Sequence, residues 1–155
     1  MTKKRSKKNS KKRGILRNKT QAGGSQELIN AIGNNDIDKV RTILERNHDV
    51  NYMNVMGITP LLWAAYHGNS DIVRLLLAHG ANVNTPNSKN SPLYTAASRG
   101  HFEVVEELLN RGADPTWVDM NGRSLIWHVN TETGNQEMVD LLIRKGMSNG
   151  YARGD

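Results

Sequence analysis

The chain has 155 residues, no cysteine, 5% aromatic residues and a formal net charge of +6. That length suits a single domain with an aliphatic core, and the missing cysteines exclude disulfides, thiolate metal sites and cysteine nucleophiles. No apolar run approaches the roughly 18 residues of a membrane span, and no apolar stretch follows the cationic start as in a secretory signal, so a protein of the cytoplasm, the nucleus or both is expected.

Residues 1–24 read as a separate object. Lys3, Lys4, Arg5, Lys7, Lys8, Lys11, Lys12 and Arg13, with Arg17 and Lys19, make ten basic residues, and no acidic residue precedes Glu27. The rest of the chain holds the other 11 basic residues against all 15 acidic ones, a balance of −4. So polar and cationic a segment cannot bury enough apolar surface to offset its ordering entropy, which predicts a disordered basic tail hinged at Gly23-Gly24. The run Lys3–Arg13 looks like a nuclear localisation signal for an import receptor. The same charge could bind nucleic acid, but without aromatic side chains to stack on bases only phosphates would be contacted. The plainest alternative is a solubilising tail. Membrane docking lacks a lipid or an apolar face to support it.

Order is predicted from Ser25, a candidate helix N-cap, with Leu28 opening the apolar pattern. Three later segments then repeat one another: Thr59-Pro60-Leu61-Leu62-Trp63-Ala64-Ala65, Ser91-Pro92-Leu93-Tyr94-Thr95-Ala96-Ala97 and Ser124-Leu125-Ile126-Trp127-His128-Val129. A Thr or Ser offers its oxygen to an unpaired amide of the first turn, and proline at the first helical position gives up an N–H that has no partner there. After each opening a second helix is predicted, stopping at Gly80, Gly112 and Gly146, with Asn47 closing the same helix in the first unit. Counting back from each stop, Ile43 and Leu44, Leu76 and Leu77, Leu108 and Leu109, and Leu142 and Ile143 stand four and three residues earlier, and Val40, Val73, Val105 and Val139 stand seven earlier. That spacing lines one helical face. Polar connectors follow, such as Ala81-Asn82-Val83-Asn84.

These combined positions resemble the ankyrin repeat over about residues 25–147. The resemblance implies an all-α ankyrin-repeat solenoid of about four helix-turn-helix repeats (about 25–56, 57–88, 89–121 and 122–147) with projecting β-turn loops, or fingers, and a frayed end at 148–155. Lys39 and Thr42 stand where later units have apolar residues, which marks the first unit as a polar cap. The fourth unit lacks the proline and carries one extra residue within Asn130-Thr131-Glu132-Thr133, so the end of its first helix should be distorted.

Residues for chemistry do not assemble. His48, His67, His79, His101 and His128 are scattered over different units with no i, i+4 metal pair, and each is read as structural. Glu103, Glu106 and Glu107, flanked by Arg99 and Arg111, read as a solvated helix face. No phosphate-cradling loop or nucleophile motif is present, so no enzyme, metal or cofactor is expected, and Trp63 is assigned to the core.

What the resemblance does imply is a monomeric module that binds another protein, as adaptor or inhibitor, through finger tips and the exposed side of each first helix. Those positions are Tyr52, Met53, Val55 and Met56 in the first finger, Thr85, Pro86, Ser88 and Lys89 in the second, Trp117, Val118 and Met120 in the third, and Leu62, Tyr94 and Trp127 on the helices. Met, Val and large aromatics are unusual for loops in water, and exposed apolar clusters mark interaction sites. Tyr52 and Trp117 could equally fold back against neighbouring fingers.

Overall fold

The computed structural model describes residues 25–46, 48–85, 91–119 and 121–147. The tail with its eight targeting residues, the stop at Asn47, the finger residues Pro86, Ser88, Lys89 and Met120, and the segment 148–155 lie outside them.

Helices come in consecutive pairs: α1 (residues 25–33) with α2 (Ile37–Glu45), α3 (Pro60–His67) with α4 (Ser70–Ala78), α5 (Pro92–Ser98) with α6 (Phe102–Asn110), and α7 (Leu125–His128) with α8 (Gln136–Arg144). The predicted openings form as N-caps. Thr59, Ser91 and Ser124 accept hydrogen bonds through their hydroxyls from the amides of Leu62, Tyr94 and Trp127, at 3.2, 3.4 and 3.3 Å. Ser25, expected ahead of α1, is instead the first described helical residue and is buried. The stops at Gly80, Gly112 and Gly146 all adopt left-handed backbone, with φ of 85°, 85° and 90°. Such a φ would strain any residue with a Cβ.

α3 lies against α5, and α4 against both α2 and α6, so first helices and second helices form two layers along the stack. One apolar core runs through it, from Leu28 and Ile32 through Leu61, Leu76, Leu93 and Leu108 to Leu125 and Leu142. The small Ala64-Ala65 and Ala96-Ala97 pairs are fully buried and allow close approach of α3 to α5. No strand forms among the described residues, where one antiparallel bridge joins Val118 to Ser124. As the extra residue predicts, α7 passes into a π-helical turn over Val129–Thr133 that ends at Gly134 (φ 62°). A single inserted residue is what a π turn absorbs.

Repeats are tied across their connectors by asparagines. Asn51 donates from Nδ2 to the Gly80 carbonyl (3.1 Å) and accepts at Oδ1 from the Asn82 amide (2.7 Å). Asn84 does the same one repeat later, to the Gly112 carbonyl and from the Asp114 amide. These bonds hold the row of fingers in register with the helices behind it.

Candidate protein-interaction surface

The first finger is rigid and apolar at once. Asn54 Oδ1 accepts from the amides of Met56 (2.9 Å) and Ile58 (3.0 Å), the Asn54 amide donates to the Ile58 carbonyl (3.1 Å), and the Gly57 amide donates to the Asn54 carbonyl (2.9 Å). A loop pinned at four bonds displays Met53, Val55 and Met56 with exposures of 51%, 104% and 73%. Tyr66 and Ile143 are the other large apolar or aromatic residues that stand exposed among the described residues. The exposed apolar surface is therefore concentrated on this finger. Tyr52 at its base is half-buried.

The third finger is built differently. Trp117 packs against the core and meets the Tyr94 ring of α5 with centroids 4.8 Å apart, so it folds back onto a first helix and not onto the neighbouring finger. Its indole Nε1 is buried without a hydrogen-bond partner. Val118 is half-buried beside the bridge to Ser124.

On the first helices, one expected position is corrected. Leu62 is 7% exposed, too covered to serve as a contact, whereas the larger Tyr94 and Trp127 at the same place reach partly into solvent. Trp63, expected in the core, packs against it but is only half-buried. It stacks on Tyr66 at 5.3 Å and meets His67 edge-on at 4.8 Å. Arg99 is not part of the acidic helix face either: its guanidinium lies 3.4 Å above the Tyr66 ring, a cation–π contact. The partner of Glu107 besides Arg111 (2.9 Å) is Arg74 from α4 (3.6 Å). Arg123 similarly covers Trp127 at 4.2 Å. The Arg99–Tyr66 and Arg123–Trp127 pairs thus lay guanidinium planes on rings of two first helices, α3 and α7.

His128 is the residue that the spacing of histidines along the chain does not reveal. It is 9% exposed, with Nδ1 at 2.7 Å from Glu132 Oε1 and Nε2 at 3.1 Å from Asp119 Oδ2. Burial, and next the Glu132 carboxylate that accepts the Tyr94 hydroxyl at 3.2 Å, push that hydroxyl up from its ordinary value. Burial also pushes the Asp119 carboxyl up, but the amides of Arg123 and Asn121 and the His128 ring together outweigh it and hold the group below its usual range. The ring separates the two carboxylates, so they do not converge on one point. Among the described residues no group of three or more His, Asp or Glu could hold a metal ion, and no helix is long and apolar enough to cross a membrane. At the far end a cavity of about 340 Å³ opens between α7, the π turn and α8, lined by Ile126, Trp127, Val139 and the exposed Ile143.

Known proteins share the repeat. The chain is 37% identical over 91 residues, 57% of its length, to the ankyrin repeat and KH domain-containing protein mask of Drosophila melanogaster, of which that covers 2%. It is 30% identical over 102 residues, 64% of its length, to the palmitoyltransferase ZDHHC17 of Homo sapiens, covering 16% of it. It is 29% identical over 125 residues, 79% of its length, to the putative palmitoyltransferase ZDHHC13 of Danio rerio, covering 19% of it. The chain thus spans less than a fifth of the length of these relatives. The family profile described as ankyrin repeats (3 copies) matches residues 28–119, well over half of the chain, and with the paired helices, glycine stops and fingers in place this chain belongs to the ankyrin repeat family, whose repeats are protein-interaction modules.

Proposed function

We propose that the chain is a binding module without chemistry of its own, an adaptor or inhibitor that holds a partner protein against its fingers and first-helix face. The observation that carries this reading is the first finger. Three large apolar side chains, Met53, Val55 and Met56, stand in water on a loop whose backbone is already fixed by Asn54. Holding a loop in its bound shape lowers the entropy cost of association, and each buried side chain of this size contributes about 1.5–3 kcal/mol. Tyr94, Trp127 and the Arg99–Tyr66 pair extend the same surface with residue types enriched at interface centres. Tyr52, Trp117 and Val118, half-buried, serve as its floor.

The test is capture from a native host lysate with the full chain and with the triple variant M53S/V55S/M56S. The variant should retain the helical circular dichroism of the parent and weaken capture of the main partner at least about tenfold. Equal capture by both proteins would overturn the reading.

A second reading is favoured by the split of charge between residues 1–24 and the rest of the chain. The tail is proposed to act as an import signal or, alternatively, as a polyanion binder through Lys3, Lys4, Arg5, Lys7, Lys8, Lys11, Lys12 and Arg13. Removal of residues 1–24 should leave protein capture intact while abolishing affinity for duplex DNA. In the full chain that affinity should fall by about 0.9 log unit per log unit of salt for each phosphate neutralised.

A further inference from the structure

Asp119 and Asn54 hold equivalent places, each five residues ahead of the hydroxyl that caps the next helix, Ser124 and Thr59. Each folds its finger in the same way. Asp119 Oδ1 accepts from the amides of Asn121 (2.7 Å) and Arg123 (2.9 Å), as Asn54 Oδ1 accepts from Met56 and Ile58. The difference lies in the second atom of the side chain. Where Asn54 has an amide nitrogen, Asp119 has an oxygen that meets His128 Nε2, and the place of His128 in the earlier pair is taken by Trp63.

The other ring nitrogen of His128 faces Glu132 of the π turn. A neutral imidazole carries a single N–H and can donate to one carboxylate, while the imidazolium donates to both. The charged and titratable groups around this ring include Asp119 from the finger, Glu132 from the π turn, Tyr94 from α5, whose hydroxyl donates to Glu132, and Arg123, whose guanidinium lies over the neighbouring Trp127 ring. The rings of Tyr94 and Trp117 shield it at 5.5 and 5.6 Å.

We propose that His128 is a proton-operated latch on the third finger, whose imidazolium ties Asp119 of the finger to Glu132 of the π turn. Loss of the ring proton leaves the shorter bond to Glu132 in place and turns a lone pair toward the Asp119 carboxylate. The finger is then freed, together with the side of Trp117 that it holds against Tyr94. The latch is closed while the ring is charged and open once it is neutral, and acid strong enough to protonate the carboxylates opens it again. This regulation rests on the reading of the fingers as the contact surface, which it deepens, because it makes the shape of one finger depend on pH and leaves the first finger independent of it.

Amide hydrogen exchange of the full chain, followed by NMR over a pH series and corrected for intrinsic rates, reads the latch without any partner. Gly122 and Gly57 make the same backbone bond, to Asp119 and to Asn54 at 3.0 and 2.9 Å, so the first finger is an internal reference. Protection of Gly122 should fall about tenfold relative to Gly57 as pH rises, the scale of one hydrogen bond to a charged group. D119N keeps the turn bonds and makes the third finger chemically like the first, so its ratio should stay flat. H128Q should give the same flat ratio and carries the test if D119N does not fold. A constant ratio in the parent chain, or an unchanged fall in D119N or H128Q, overturns the latch. Neither result bears on partner capture, so the two ideas fail separately.

Discussion

Asn84 reaches from one connector to the next repeat and satisfies both sides of its amide there, donating to the Gly112 carbonyl at 3.1 Å and accepting from the Asp114 amide at 2.8 Å. Asn82, two residues away, accepts only from the Asn84 amide within its own connector. Asn84→Ala should therefore destabilise the stack by about 2 kcal/mol, at roughly 1 kcal/mol for each bond, and Asn82→Ala by about half as much. Urea unfolding midpoints of the two variants check the order.

Core and finger should respond in opposite ways to truncation. Leu76 is fully buried at the centre of the stack, and Leu76→Ala should cost about 2–5 kcal/mol because the surrounding helices cannot close the cavity completely. Val55 touches water on all sides, so Val55→Ala should change unfolding free energy by no more than about 0.5 kcal/mol. The same pair measured for partner capture should reverse, with loss only at Val55 while Leu76→Ala remains folded.

Two glycines with similar backbone separate the costs of strain and of crowding. Gly68 has φ of 73°, and a Cβ there would meet the His101 ring at 2.5 Å; Gly80 has φ of 85°, with open space around it. His101 cannot swing aside freely, since its Nε2 lies 3.1 Å from the Tyr66 carbonyl. Gly80→Ala should cost about 1–2 kcal/mol for left-handed backbone alone, and Gly68→Ala clearly more. Thermal unfolding of both proteins in one buffer decides it.

Acid stability should depend on Thr116. Its hydroxyl (2.6 Å) and amide (2.8 Å) both donate to Asp114 Oδ1 and hold that carboxyl below its usual range, against a smaller upward push from burial. A carboxyl with a lower pKa in the folded chain than in the unfolded one stabilises the fold above the unfolded value, and that contribution disappears as pH falls through the folded value. Thr116→Val removes the hydroxyl bond. Its stability deficit should be full at neutral pH and shrink below about pH 4, which urea midpoints at several pH values would follow.

The helix pairs and their stops can be read in the sequence because each is signalled locally, by a hydroxyl before a proline at Thr59 and Ser91 and by glycine at Gly80 and Gly112. The π turn is likewise announced by one extra residue near Thr131. Burial on the first helices is harder, because register gives the position of a side chain and not its reach. Leu62 and Trp127 share a slot, yet the small one is covered and the large one protrudes. The His128 network spans a loop that brings Asp119 back onto α7, a contact no helical periodicity encodes. Comparing the fingers residue by residue would have found its one visible sign, an aspartate in the place of Asn54.

If the first finger is the main point of contact, a hydrogen-exchange footprint of the captured complex should show slowed exchange at the amides of residues 53–58 and along α3 and α5, with α4 and α6 unchanged. Protection confined to α4 and α6, with residues 53–58 exchanging as in the free chain, would contradict it.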